Sequence, residues 1–146
     1  MKKLLLTSVA AALLMAQAPR AGVIILQDQP GGFFPLHKRF FEVLESIGSI
    51  VEIRGRCFSG CTLVLSYIPK ERLCFHETAW LGFHLAWSFY GTDIKVTQAL
   101  VDRYPQDIRM WLQQKGGLEK MPHRAEFWAM LAPELWKIGY RKCNSK

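Results

Sequence analysis

Ser49-Ile50-Val51-Glu52-Ile53-Arg54-Gly55-Arg56-Cys57-Phe58-Ser59-Gly60-Cys61-Thr62-Leu63-Val64-Leu65-Ser66-Tyr67 is the stretch from which the fold is read. Ser49 to Ile53 is rich in β-branched residues and predicts a strand ending near Arg54. Ser59 to Tyr67 is apolar enough for a buried helix, closed by Pro69. Ser59 then stands at a strand-to-helix turn. Such a turn can hold a hydroxyl outward beside the backbone N–H groups that a first helical turn leaves unpaired. The bland alternative is that Ser59 only caps the helix. The run Cys57-Phe58-Ser59-Gly60-Cys61 departs from the usual nucleophile elbow, because the residue two before the serine is not glycine.

On the N-terminal side, Gly22 to Leu26 predicts a short strand and Asp28-Gln29-Pro30-Gly31-Gly32 a turn. Leu36, Phe40, Val43, Leu44 and Ile47 recur at helical spacing, with Lys38, Arg39, Glu42 and Glu45 on the other face. That helix is expected to cover the sheet, and Gly48 stops it. On the C-terminal side, Leu73-Cys74-Phe75 and Ala79 to Phe83 predict strands. Asp93 to Gln114 is helical in pattern, broken at Pro105 and ended by Gly116-Gly117. Glu126 to Met130 and Glu134 to Ile138 predict short helices, with Pro133 in the first turn of the second. The alternation implies one small α/β sheet built from crossover units. A 146-residue chain that is half hydrophobic fits a single domain.

The first 21 residues are set apart from that domain, which spans 22–146. Lys2 and Lys3 precede an apolar run from Leu4 to Met15, and Ala16-Gln17-Ala18 supplies small residues at −3 and −1. This is the pattern of a secretory signal peptide, with cleavage near 18–21. Pro19 is unfavourable at +1, so a site nearer Ala21 is the alternative, and an uncleaved membrane tether is the minor one. Cleavage after Ala18 removes Lys2 and Lys3 and lowers the formal charge from +7 to +5. The expected location is the periplasm or outside the cell.

Export makes Cys57, Cys61, Cys74 and Cys143 disulfide candidates. Three pairings are open. Cys57 and Cys61 can bridge locally if the chain turns sharply, and Cys143 can staple the C-terminal tail to the core through Cys74. A zinc site from Cys57, Cys61, His76 and His84 has permissible ligand types but loose spacing. No metal or cofactor is expected.

His84 lies 25 residues after Ser59, at the end of another strand-like run, and is the natural general base for it. The Gly31-Gly32 turn can bring a second backbone N–H to the serine, so that two donors form an oxyanion hole. His37 is expected on the helix surface, and His76 and His123 have no evident partner. The five tryptophans read as core and edge packing. The basic residues are scattered and carry no nucleic-acid motif, so nucleic acid is not an expected partner. The positive balance is compatible with peripheral association at anionic envelope surfaces.

Asp28-Gln29-Pro30-Gly31-Gly32, the block from Gly55 to Leu65, Leu81-Gly82-Phe83-His84, Tyr104-Pro105, Trp111 and Gly116-Gly117-Leu118 together resemble the exported or periplasmic branch of the Clp-protease/crotonase-like superfamily. The resemblance covers roughly residues 22 to 140. It implies a small fold of β-β-α units, truncated on its N-terminal side, because full-length peptidase members carry a further strand and helix there. It implies Ser59 as nucleophile, His84 as base, and Gly32 and Gly60 as oxyanion donors. By position, Glu126 best matches the acid of the triad, with Asp107 as the alternative and Asp93 more distant. The implied function is a periplasmic serine hydrolase or peptidase acting on a peptide or small acyl substrate. The implied assembly is a homo-oligomer, although the helical extension that stacks some members into rings is not evident. The alternative is a non-catalytic exported scaffold that keeps the fold.

Overall fold

The structure is a computed structural model that describes residues 21–88, 90–121 and 126–144. The signal-peptide pattern up to residue 20, and His123, lie outside the described residues.

β1 (Val23–Gln29) and β2 (Ile50–Phe58) pair in parallel and are joined by α1 (Phe34–Ser46). Their register runs from Val23↔Ile50 to Gln27↔Arg54, then slips by one residue to Gln29↔Cys57. Asp28 supplies the bulge, with φ +50°, opposite Gly55 at φ +65°. The Asp28 Oδ1 accepts the Arg56 N–H at 3.0 Å. A Cβ on Gly55 would sit 2.2 Å from that same oxygen, so the bulge needs glycine there. The bulge corrects two expectations. Asp28 and Gln29 are strand rather than turn, and β2 continues to Phe58 instead of ending near Arg54.

Beyond the bulge β2 changes neighbours. Val51–Ile53 pair in parallel with β3 (Leu73–Phe75), whereas Arg56–Phe58 pair in parallel with β4 (Trp80–Phe83). β3 carries β8 (Arg141–Lys142) in parallel, and β4 carries β7 (Trp128–Leu131) antiparallel. The protein is therefore mixed α/β with a mixed, forked sheet. The helix expected over Glu126 to Met130 is instead β7, because the free edge of β4 offers a four-residue ladder from Phe83↔Trp128 to Trp80↔Leu131. β8 and the small hairpin of β5 (Trp87–Ser88) and β6 (Gly91–Thr92) have two residues per strand, too few to leave a sequence period.

A 3-10 turn over Ser59–Leu63 leads into α2 (Val64–Tyr67). The long helical pattern splits as expected into α3 (Ile94–Val101) and α4 (Gln106–Gln114), with Pro105 between them. Asp93 Oδ1 caps α3 by accepting the Val96 N–H at 3.0 Å. α5 (Ala132–Lys137) begins with Glu134 reaching back to the Leu131 N–H at 2.9 Å. Its other carboxylate oxygen accepts from the Trp111 indole at 3.0 Å, which ties α5 to α4.

The core joins Val51, Ile53, Phe75, Leu81 and Phe83 of the sheet to Phe41, Leu63, Ile108, Leu112 and Leu135 of the helical layer. α1 buries a different stripe from the one expected. Phe41 and Leu44 point into the core, whereas Leu36, Phe40, Val43 and Ile47 face outward with 38–68% of their surface exposed. α1 has two apolar faces, and the one containing His37, Phe41 and Leu44 meets the core.

Both disulfides form. Cys57–Cys61 closes a local turn, and Cys74–Cys143 pins the C-terminal segment to β3. Two bridges fit an exported protein. Because no cysteine is free, Cys57 and Cys61 supply no thiolate, and the zinc alternative is ruled out. Among the described residues no helix is long and apolar enough to cross a membrane.

Candidate active site

The parallel strands β1, β2 and β4 end on the same side of the sheet, which is where open α/β sheets place their ligands. Their last residues, Gln29, Phe58 and Phe83, hand over respectively to Pro30-Gly31-Gly32, to Ser59-Gly60 and to His84. With Phe58 in register with Gly82, Ser59 and His84 leave adjacent strands.

Ser59 has φ +56°, a left-handed conformation that costs an L-residue about 1–2 kcal/mol. Three constraints hold it. The Cys57–Cys61 bridge brackets it and fixes the flanking Cα atoms 5.3 Å apart. The Thr62 hydroxyl donates to the Ser59 carbonyl at 2.7 Å, so the Tyr104 hydroxyl, 2.6 Å away, donates to Thr62. Burial pushes the Tyr104 phenol up to about 12, with its bond to Thr62 pulling the other way, so it remains a donor. Third, the glycine turn packs directly on the serine. A Cβ on Gly31 would lie 2.4 Å from the Phe58 carbonyl oxygen and 2.5 Å from the Ser59 Cβ. A Cβ on Gly60 would lie 3.0 Å from the Gly32 carbonyl oxygen. The backbones of Gly31-Gly32 and Ser59-Gly60 are thus in contact, and Gly31 at φ +85° can only be glycine.

His37 corrects the expectation of a surface histidine. It is half-buried, and a Cβ on Gly60 would fall 2.9 Å from its Nδ1. Its Cε1 lies 3.6 Å from where a Cβ on Gly32 would be. The Nδ1–H donates to the Phe33 carbonyl at 3.3 Å. The signal that could have found it is spacing. His37, Phe41 and Leu44 share one helical face, in the first turns after the glycine pair.

His84 sits in an aromatic cluster. Its ring stacks on Phe58 with centroids 4.9 Å apart and planes 10° from parallel. Phe127 meets Phe58 edge-on at 5.4 Å and stacks on Trp80 at 5.7 Å. Burial pulls the His84 pKa below its ordinary 6.5, and the Leu85 backbone offsets only part of that. The ring is therefore neutral at pH 7. Among the described residues its buried Nδ1 has no hydrogen bond of good geometry, the Leu85 backbone contact included.

Among the described residues none of the three candidate acids is hydrogen-bonded to His84. Glu126 is exposed just before β7 and makes no hydrogen bond to His84 among the described residues. Asp107 is engaged elsewhere, as the Lys70 ammonium donates to it at 2.7 Å. Asp93 is the cap of α3. His76 lies away from these groups, bonded to Thr78 at 2.9 Å in a polar depression shared with Gln27, Asp28, Arg54 and Gly55. The metal-type trio of Glu52, Cys74 and Cys143 has both sulfurs bridged, so it offers no thiolate.

The site combines a half-buried serine at a left-handed strand-to-helix turn, two glycine backbones packed on it and an imidazole at the end of the adjacent strand. A serine, a histidine on the adjacent strand and glycine backbone N–H groups are the residue types that acyl transfer uses. No protein-family model matches the chain, and no curated protein sequence matches it.

Proposed function

We propose that the chain is an exported serine hydrolase of the Clp-protease/crotonase-like type, working through Ser59 and His84. The observation that carries this reading is the left-handed Ser59, a conformation with a free-energy cost that is held by a disulfide, a buried Tyr104–Thr62 relay and a glycine turn. A plain helix cap needs none of these. In the cycle, His84 Nε2 takes the Ser59 hydroxyl proton as Oγ bonds to the substrate carbonyl carbon. Backbone N–H groups of Gly32 and Gly60 receive the negative charge on the carbonyl oxygen. The tetrahedral species then expels the alcohol or amine, which takes the proton from His84, leaving Ser59 acylated. Water repeats the sequence, giving its proton to His84 and its oxygen to the acyl carbon. Ser59 leaves with that proton.

The orphaned His84 Nδ1 favours a second reading, a non-catalytic scaffold. When Nε2 accepts, Nδ1 must carry a proton with no well-aligned acceptor among the described residues, at a cost of up to about 1–3 kcal/mol. As an enzyme the chain is then slow, as a triad is when its imidazole is held in the wrong tautomer. Hydrolysis of p-nitrophenyl acetate by the oxidised protein separates the readings. The hydrolase reading predicts turnover that Ser59→Ala and His84→Ala each reduce by at least about 10³-fold. Turnover that both variants retain, or none in the parent, supports the scaffold.

A further inference from the structure

A cleft of about 330 Å³ opens beside the candidate nucleophile, between the end of β1 and α1. Leu26, Leu36, Phe40 and Phe41 supply its apolar wall, and Cys61, His37 and Gln29 complete it. No Asp, Glu, Lys or Arg lines it, in a protein with a formal charge of +7. Two of its walls belong to the site already described. Cys61 follows Ser59-Gly60 directly, and His37 packs on Gly60 and Gly32. The cleft therefore continues from the glycine pair that would hold a reacting carbonyl.

We infer that this cleft takes the acyl side of the substrate, and that the preferred substrates carry an extended, uncharged apolar acyl chain. The inference rests on the hydrolase reading for its chemistry. The occupant follows from the lining. A chain attached to a carbonyl at Ser59 enters past His37 and lies against Leu26, Leu36, Phe40 and Phe41. A charged acyl group would lose its water there with no counter-charge to replace it. The volume lies at the small end of ligand cavities, which suits one chain rather than a bulky ring system. Leu36 and Phe40 are 68% and 42% exposed in the free protein, so an acyl chain would cover apolar surface that the fold leaves in water.

The test is a series of p-nitrophenyl esters from acetate to octanoate, with octanamide binding followed by NMR at the His37 ring. The expected result is a rise in kcat/KM of about three- to fourfold per methylene until the cleft is filled. Octanamide should shift the His37 resonances, and acetamide should not. Leu36→Asp should lower the octanoate-to-acetate ratio about tenfold or more. Val43→Asp, on the exposed face of α1 outside the cleft, should leave that ratio unaltered. A flat chain-length series overturns the inference, as does a Val43→Asp effect equal to that of Leu36→Asp, which would assign the whole α1 stripe to a second copy or a surface. If no ester is hydrolysed but octanamide still shifts His37, the hydrolase reading falls and the cleft stands. If octanamide leaves His37 unmoved, the cleft falls whether or not Ser59 is reactive.

Discussion

The Ser59 side of the candidate site and the His84 side are built to different standards. Ser59 is over-determined by a disulfide, a buried hydroxyl relay and a glycine contact that leaves no room for a Cβ. His84 is placed by strand register and by an aromatic stack, and its inner nitrogen has no well-aligned partner among the described residues. A strained conformation persists only where its surroundings hold it, and such strain concentrates at functional sites. An orphaned buried nitrogen is the reverse, a group whose partner is missing. On the proposed hydrolase reading, Ser59 is held in place and His84 is left weakly oriented.

The two disulfides are the strongest lever on that comparison. In the chain-entropy account, removing Cys74–Cys143, 69 residues apart, costs about 4 kcal/mol. Removing Cys57–Cys61, four apart, costs about 2 kcal/mol. The effects on the site should run in the opposite order. Denaturant titration should find the Cys74→Ser/Cys143→Ser variant less stable yet active at temperatures where it is folded. The Cys57→Ser/Cys61→Ser variant should be folded and lose most ester hydrolysis. Equal loss of activity in both would mean that the short bridge does no more than stabilise.

Gly31→Ala is next. Its Cβ would meet backbone and Cβ atoms of Phe58 and Ser59, in a left-handed conformation, for an expected loss of about 2–4 kcal/mol. Gly91→Ala makes a control, since it has positive φ but open space around it, and should cost less. Similar unfolding midpoints for the two would show that the contact with Ser59 is slack.

Tyr104→Phe removes the donor to Thr62 and should cost about 1–2 kcal/mol. The same residue gives a pH signature. The unfolded phenol ionises near 10 and the folded one near 12, so the folded state holds its proton more tightly. Stability therefore falls as pH rises from about 10 to about 12. Alkaline titration of the Tyr104→Phe variant should show a shallower fall.

The smallest expected effect is on the pH dependence set by His84. Because burial lowers its pKa, the neutral base persists below pH 6.5, and the acid limb of kcat/KM should lie under that value. Phe58→Leu opens one face of the imidazole to water and should move the limb back toward 6.5. An unmoved limb would show that Phe58 does not set the environment of His84.

Much of this architecture was legible in the sequence, for reasons tied to particular residues. Ser49 to Ile53 read as strand because of its β-branched side chains, and β2 begins at Ile50; Pro105 split the long helical pattern where expected. What escaped was decided by partners distant in sequence. β2 ran on to Phe58 because Asp28 could bond across to Arg56. Trp128–Leu131 became strand because β4 had an open edge. In the site, Ser59, Gly60 and the Gly31-Gly32 turn could be placed together from their local signals. The role of His37 could not, because α1 has two apolar faces and only packing selects one. The failure to find an acid for His84 began in the sequence, and Asp93 and Asp107 prove to be engaged elsewhere.

The most direct measurement is mass-spectrometric mapping of a fluorophosphonate adduct on the oxidised protein. A single adduct on the peptide containing Ser59, lost in His84→Ala, is the predicted result. No adduct on the folded, oxidised protein, or an adduct that survives Ser59→Ala, would contradict the assignment of Ser59 as nucleophile.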